Sequence, residues 1–400
     1  MKTAKSILIW SLLYTLFLSL AGANGQILLL DGEGEITDPN AANSAPLADQ
    51  WQQLDPNTSP PACFGHTMVA IDNKAYVFGG VNYSLSEQQL NDCYYPLGEQ
   101  LFNDIWAWNN AEAEWLEISQ TNLPPARNSH TAVALGSKMY VLFGQDSSGN
   151  FFEDMWSYDP NNNIWDEITP EGPRPKARAS HSAVVIDDAI YVLGGEDENG
   201  SILNDLWRYE PNSNRWEQRA ALPAGGVREH AAAAVAGKMY IFCGEDGENP
   251  LNDLWVYVPT DDSWTQLGPN DPNDAPSARH GMTVAQYGEW IWLIGGSRPG
   301  TDLKETWAFN VATQTWTRCT DCPFSLYKSA SAAFMTASVA SSPGEVKLAE
   351  TGSESEDQLN EDQLAILVFG GIDSVTTVGS TFKYFPGIQV DQVDDPNSPE

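Results

Sequence analysis

Basic residues are scarce in this chain, yet four arginines recur at a nearly constant interval: Arg127, Arg178, Arg228 and Arg279. Each stands one to three residues ahead of a histidine, at His130, His181, His230 and His280. A guanidinium grips a carboxylate through paired, planar hydrogen bonds. Four of them around one opening would therefore suit a carboxylate-bearing sugar or peptide. A scaffold role is equally concrete, because Asp104, Asp154, Asp205 and Asp253 recur at the same interval and could each bridge to an arginine. Recurrence in unit after unit favours the scaffold. Two carboxylates escape the pattern: Glu196 and Glu245 stand where other units have Val81, Gln145, Ser297 and Ile372. Such a group near the arginines could pass a proton to a sugar ring oxygen.

The five histidines, His66, His130, His181, His230 and His280, recur in register. Opening one strand per unit, they would be spread around a ring, whereas zinc needs three or four converging ligands at about 2 Å. No metal or cofactor is expected, and the histidines read as buried hydrogen-bonding groups. The five cysteines, Cys63, Cys93, Cys243, Cys319 and Cys322, include two candidate disulfides. Cys63 with Cys93 would pin a long loop, and Cys319 with Cys322 would close a small one. Cys243, ending an apolar strand, is left as the inert free thiol.

The elements that must position these groups repeat too. Tryptophans pair nine residues apart at Trp106 and Trp115, Trp156 and Trp165, Trp207 and Trp216, Trp255 and Trp264, Trp307 and Trp316. The first members lie 50, 51, 48 and 52 residues apart, a period typical of stacked repeats. Each unit reads as four strands joined by short connections, hence an antiparallel sheet. The first strand is small-residue (Ala231 to Val235), the second apolar and glycine-ended (Ile190 to Gly195), and the third and fourth carry the tryptophans. Small residues suit crowded inner strands, and tryptophans fill the space where sheets diverge. A sixth unit is disguised: Phe382 and Tyr384 replace the first tryptophan and the aromatic after it. It lacks a fourth strand, and Trp51 to Leu54 is a fourth strand without a unit, so the two should join and close a ring of six.

In such a sheet the turn before the first strand and the loop between the second and third lie on one face. Arginines, Glu196, Glu245, Cys63 and Cys93 should share that mouth. The long loop from about Val81 to Phe102 adds Tyr83, Tyr94 and Tyr95, which can anchor an interface.

The ends set the compartment. Lys2 and Lys5, an apolar run from Ile7 to Leu20 and small residues at Ala21 to Ala23 read as a secretory signal over residues 1–25. An N-terminal extension (26–48), a propeller (49–388) and an acidic tail (389–400) should follow. A secreted or extracytoplasmic protein, in a periplasm or at a cell surface, is expected. With 54 acidic against 20 basic residues and a net charge of -34, nucleic acid is a poor partner. No second apolar run predicts membrane insertion after signal removal, and a monomer is expected.

Glycine pairs after an apolar strand, an acidic residue two before a tryptophan, and the spaced second tryptophan resemble the kelch repeat and its β-propeller. The resemblance covers about residues 51–385. Phe143 and Cys243 replace the first glycine of a pair, and Glu305 replaces the aspartate. It implies an all-β, six-bladed propeller, last blade closed by an N-terminal strand, that binds an extracellular protein or glycan through its loop-rich face. An enzyme resembling the sialic acid mutarotase among kelch-like propellers is the alternative. A copper site of the galactose oxidase kind needs paired tyrosines and a cross-linked cysteine, and no such set can be placed here.

Overall fold

A computed structural model describes residues 29–30, 36–37, 49–72, 74–82, 100–110, 112–242, 244–268, 275–336, 363–373, 376–377 and 379–386. The expected leader, most of the long first loop with Cys93 and its tyrosines, and the expected acidic tail lie outside the described residues. The chain divides into residues 1–47 and 48–400. In the first unit Leu29–Leu30 pairs antiparallel with Ile36–Thr37.

In the second unit the described residues form six four-stranded antiparallel sheets. Blade 1 runs Thr67–Ile71, Lys74–Phe78, Ile105–Asn109, Glu114–Glu117. Blades 2 to 5 repeat that order, beginning at Thr131–Leu135, Ser182–Ile186, Ala231–Val235 and Thr283–Tyr287. Blade 6 takes three strands from Ala330–Thr336, Gln363–Phe369 and Thr381–Phe385, and its outermost from Gln50–Leu54. The closing register sets Trp51 opposite Tyr384 and Gln53 opposite Phe382. Each innermost strand neighbours the next around the ring, and that of blade 6 neighbours that of blade 1.

The second tryptophan of a blade packs on the second strand of the blade before it. Trp165 meets Phe78 at 5.0 Å, Trp316 meets Phe242 at 5.5 Å, and Trp115 meets Phe369 at 5.5 Å. These rings are the wedges that fill the widening gap between sheets. In blade 6, Trp51 stacks on Tyr384 at 4.9 Å and restores the contact that Trp216 makes with Tyr209.

Two circles of backbone hydrogen bonds join the blades. The second residue of the glycine pair donates to the turn leading into the next blade: Gly80 to Arg127, Gly144 to Arg178, Gly195 to Val227, Gly244 to Arg279, Gly296 to Leu326 and Gly371 to Cys63. Two residues beyond each acceptor, Gly65, Ser129, Ser180, Glu229, Gly281 and Lys328 each donate to the previous member's carbonyl, at 2.8–3.1 Å. This belt closes on itself, and all six members hold φ between 51° and 63°.

The glycine link tolerates no side chain. At Gly195, with φ of 90°, a Cβ would stand 2.5 Å from the Ala179 carbonyl oxygen and 2.8 Å from His181 Cβ. We expect Gly195→Ala to cost at least about 3 kcal/mol in urea unfolding. Gly200→Ala, also left-handed but with open space around it, should cost only about 1 kcal/mol.

Candidate functional site

The two circles define equivalent positions around the mouth. The carbonyl that receives the glycine link belongs to Cys63, Arg127, Arg178, Val227, Arg279 and Leu326. Arg127, Arg178 and Arg279 therefore share one structural place, and Arg228 sits one residue further on.

The three in register are scaffold. Arg127 donates to Asp154 through both Nη atoms at 2.7 Å, and to the carbonyls of Pro125 and Phe143. Arg178 repeats this on Asp205 at 2.8 and 2.9 Å, with Lys176 and Gly194 as carbonyl partners. Arg279 binds Glu305 and the carbonyls of Ser277 and Gly295. All three are fully buried. The carboxylates also accept from the tryptophan two residues on, as Asp154 does from Trp156 at 2.8 Å. That is why the acid-x-tryptophan spacing recurs. Where the arginine is absent, Asp253 accepts from Gln266, and burial pushes the Asp104 carboxyl up.

Arg228 faces the mouth instead. Its Nε donates to Glu245 at 2.7 Å and its Nη1 to Glu196. The two carboxylates outside the repeat thus meet on the one arginine outside the register. Glu229, the next residue and a belt member, accepts from Lys328 Nζ at 2.6 Å and from the Tyr327 hydroxyl at 2.8 Å. His280 Nδ1 lies 2.7 Å from it. Glu229 belongs to blade 4 and Lys328 to blade 6; they meet because the belt residue between them is Gly281. A Cβ there would fall 2.1 Å from the Tyr327 ring. Burial pushes the Glu229 carboxyl up, but Lys328 and His280 outweigh it and hold it well below the usual carboxylate range. Burial pulls the Lys328 ammonium down, and Glu229 more than reverses that.

Sequence reading did not reach Glu229, Tyr327 or Lys328. Aligning the first five units on their second glycine would have exposed Glu229, since the belt column there reads Gly, Ser, Ser, Glu, Gly; the longer stretch between Lys328 and Gly371 hides the sixth member from that alignment.

The histidine register needs one correction. His66, His130, His181 and His230 occupy one place, three residues past the linking carbonyl, but blade 5 has Met282 there. His280 stands in the place of Arg228. The four true equivalents are buried and bridge neighbouring blades. His130 meets Thr67 at 2.9 Å, His181 meets Thr131 and His230 meets Ser182 at 2.7 Å, and His66 Nε2 meets the Phe369 carbonyl at 3.0 Å. These histidines, the belt, Met282 and Ser329 line a cavity of about 140 Å³ in the channel.

Among the described residues, Glu229, Glu245 and His280 could each offer a ligand atom within 4.8 Å of the others. A cation there would compete with Lys328 and Arg228, which already neutralise the carboxylates. The set fits an internally satisfied network better than a metal centre.

Neither expected disulfide survives. Cys63 is a free thiol, as are Cys319 and Cys322. Cys63 is buried in an apolar cluster with Phe102 and Phe369, and burial pushes its thiol up. Cys319 and Cys322 are pinned by separate backbone bonds, to the carbonyls of Thr306 and Lys304. Cys319 Sγ is turned to the Thr317 carbonyl at 3.8 Å. Burial pushes the Cys322 thiol up to about 12. Cys93 and the Cys243 side chain lie outside the described residues.

A family model described as the KLHDC2/KLHL20/DRC7 Kelch-repeats domain matches residues 42–195 and 194–341. The chain is 27% identical over 270 residues to the leucine-zipper-like transcriptional regulator 1 homolog of Drosophila melanogaster, covering 63% of this chain and 26% of that protein. It is 24% identical over 308 residues to acyl-CoA-binding domain-containing protein 4 of Arabidopsis thaliana, covering 74% and 44%. With kelch domain-containing protein 10 of Xenopus laevis it shares 30% identity over 215 residues, covering 48% and 51%. The aligned segments span from about a quarter to about half of these relatives' lengths.

Removing a buried arginine should behave unlike removing the mouth arginine. Arg178→Ala strands Asp205 and should cost about 3–5 kcal/mol, whereas Arg228→Ala should cost about 1 kcal/mol or less, both read by urea unfolding. Acid should weaken the fold through the buried histidines. Burial lowers His66 from 6.5 to about 4 and His230 to about 3. As pH falls below 6.5 the unfolded chain takes up protons that the folded chain refuses, so stability drops. For His66 the loss is complete near pH 4. Urea unfolding between pH 7 and 5, above the range where carboxylates titrate, should show this decline, and His66→Gln should reduce its slope.

Proposed function

The chain belongs to the kelch-repeat family, a propeller fold generally used for protein interaction, and we propose that it works outside the cytoplasm as a binding module. Its binding surface is the mouth at which blades 3 to 6 present their exceptional residues. The observation that carries this reading is the departure from the repeat. Three arginines build the blades, while a network of two adjoining clusters lies beside the channel: Arg228 with Glu196 and Glu245, and Glu229 with His280, Tyr327 and Lys328, with Glu245 and Glu229 oxygens within 4.8 Å of each other. A network that no blade needs for its own packing is available for recognition.

Its charges are satisfied pairwise, as an interaction surface requires before its partner arrives. A sugar-active centre would need a carboxyl free to carry a proton, and both Glu196 and Glu245 are engaged by Arg228. Binding without chemistry is therefore the reading supported. The leader-like residues 1–25 motivate the extracytoplasmic placement.

Protein and glycan arrays probed with the purified chain test the proposal. Retention of a protein ligand, weakened about tenfold by Arg228→Ala with melting temperature lowered by no more than about 3 °C, supports it. Retention only of glycans, or of ligands indifferent to Arg228→Ala, would sink it.

A further inference from the structure

Three places in the chain carry an asparagine, a residue other than proline, then a serine: Asn57-Thr58-Ser59, Asn82-Tyr83-Ser84 and Asn199-Gly200-Ser201. That triplet accepts asparagine-linked sugar in a chain exported by a eukaryotic cell, and it belongs on a surface loop. The structure separates the three. Asn57 Nδ2 donates to the Glu114 carboxylate and the Thr58 hydroxyl to the Trp115 carbonyl, which draws that segment against the outer strand of blade 1. Asn82 is half-buried and paired opposite Gln100, and Ser84 lies outside the described residues.

Asn199 differs from both. Glu198, Asn199, Gly200 and Ser201 are all exposed, at the tip of the loop between the second and third strands of blade 3. The tip is fixed by Asp197, a buried residue whose carboxylate accepts from the backbone N–H of Asn199 at 3.0 Å and of Ser201 at 3.1 Å. Gly200 donates to the Asp197 carbonyl at 2.9 Å. The Asn199 side chain itself has no hydrogen-bond partner among the described residues. Space surrounds it: a Cβ built on Gly200 meets nothing within 4 Å. Blade 2 makes the same turn, with Asp146 accepting from the N–H groups of Ser148 and Asn150, but there the asparagine amide folds back on Asp146 at 2.8 Å. In blade 3 the asparagine stands in the place of Ser148 instead, and its amide is left to solvent.

We propose that Asn199 is an acceptor of asparagine-linked glycan, transferred as the chain is exported through a eukaryotic secretory pathway. This rests on the extracytoplasmic placement above. The donor is an oligosaccharide carried on a lipid pyrophosphate. A bond forms between Asn199 Nδ2 and the anomeric carbon of the first sugar, and the bond from that carbon to the pyrophosphate oxygen breaks. The lipid pyrophosphate leaves with the electron pair, and the amide gives up one proton. Such transfer acts on the emerging chain, so the finished fold need only leave room for the product, as the blade 3 tip does.

Expression of the full chain, with its own first 25 residues, in cultured eukaryotic cells tests it. Protein collected from the medium should gain gel mobility on treatment with a peptide N-glycosidase. Peptide mass mapping should then find Asn199 converted to aspartate, the mark left where a glycan has been released. Asn199→Gln and Ser201→Ala should each abolish that modification. Ser201→Thr, which restores the hydroxyl the transfer requires, should keep it, an outcome that a merely structural role for the loop would not give. A secreted chain whose Asn199 stays unmodified overturns this inference and leaves the extracytoplasmic placement standing. A chain retained inside the cell removes both.

Discussion

Six residues, one from each blade, pass a backbone hydrogen bond from hand to hand around the channel, and every one of them must stand in the left-handed conformation to do so. That belt, with the parallel circle of glycine links, fixes how each sheet leans on its neighbour. A single backbone bond contributes only about 1 kcal/mol net, but leaving its buried donor without a partner costs more. The links also share a geometry: moving one turn displaces the carbonyl that the next blade uses. Tryptophan wedges fill the gaps between sheets, but the belt decides where the sheets begin.

The same constraint separates architecture from recognition. A position whose backbone is committed to the belt leaves its side chain without a structural duty. Most blades spend it on glycine or serine, and blades 4 and 6 spend it on Glu229 and Lys328. The neighbouring linking position does the reverse. There an arginine turned inward ties the blade's third strand to its lead-in turn, as Arg178 does through Asp205. Displacing an arginine by one residue, from the place of Val227 to Arg228, transfers it from the interior to the mouth.

Much of the fold was legible in the residues. The tryptophan period, the glycine-ended strands and the unmatched fourth strand at Trp51 are local patterns with one three-dimensional solution, and Trp51 does pair beside Tyr384. The scaffold role of Arg127, Arg178 and Arg279 was legible for the same reason, since each partner lies within its own blade. Arg228 and His280 were misplaced because counting back from the nearest histidine ignores the bonds between blades that define equivalence. Glu229 and Lys328 stand far apart in sequence and meet only because Gly281 leaves space between them. The disulfides failed for a related reason. Sharing a face says nothing about side-chain direction, and Cys63 turns into the core.

The sixth sheet joins residues 50–54 to residues 381–385, and Asp49 accepts from the Tyr384 hydroxyl across almost the whole length of the domain. Contacts this distant in sequence are the slowest to form. During synthesis the first five sheets would leave the ribosome as an open arc, with the inner edges of blade 1 and the flank of blade 5 both uncovered. Completion of the circle must await the strand at residues 381–385, which joins blade 6 to residues 50–54. Without that strand Trp51 would lack its stacking partner Tyr384, and Trp292 and Ile294 of blade 5 would lose the cover of Phe382.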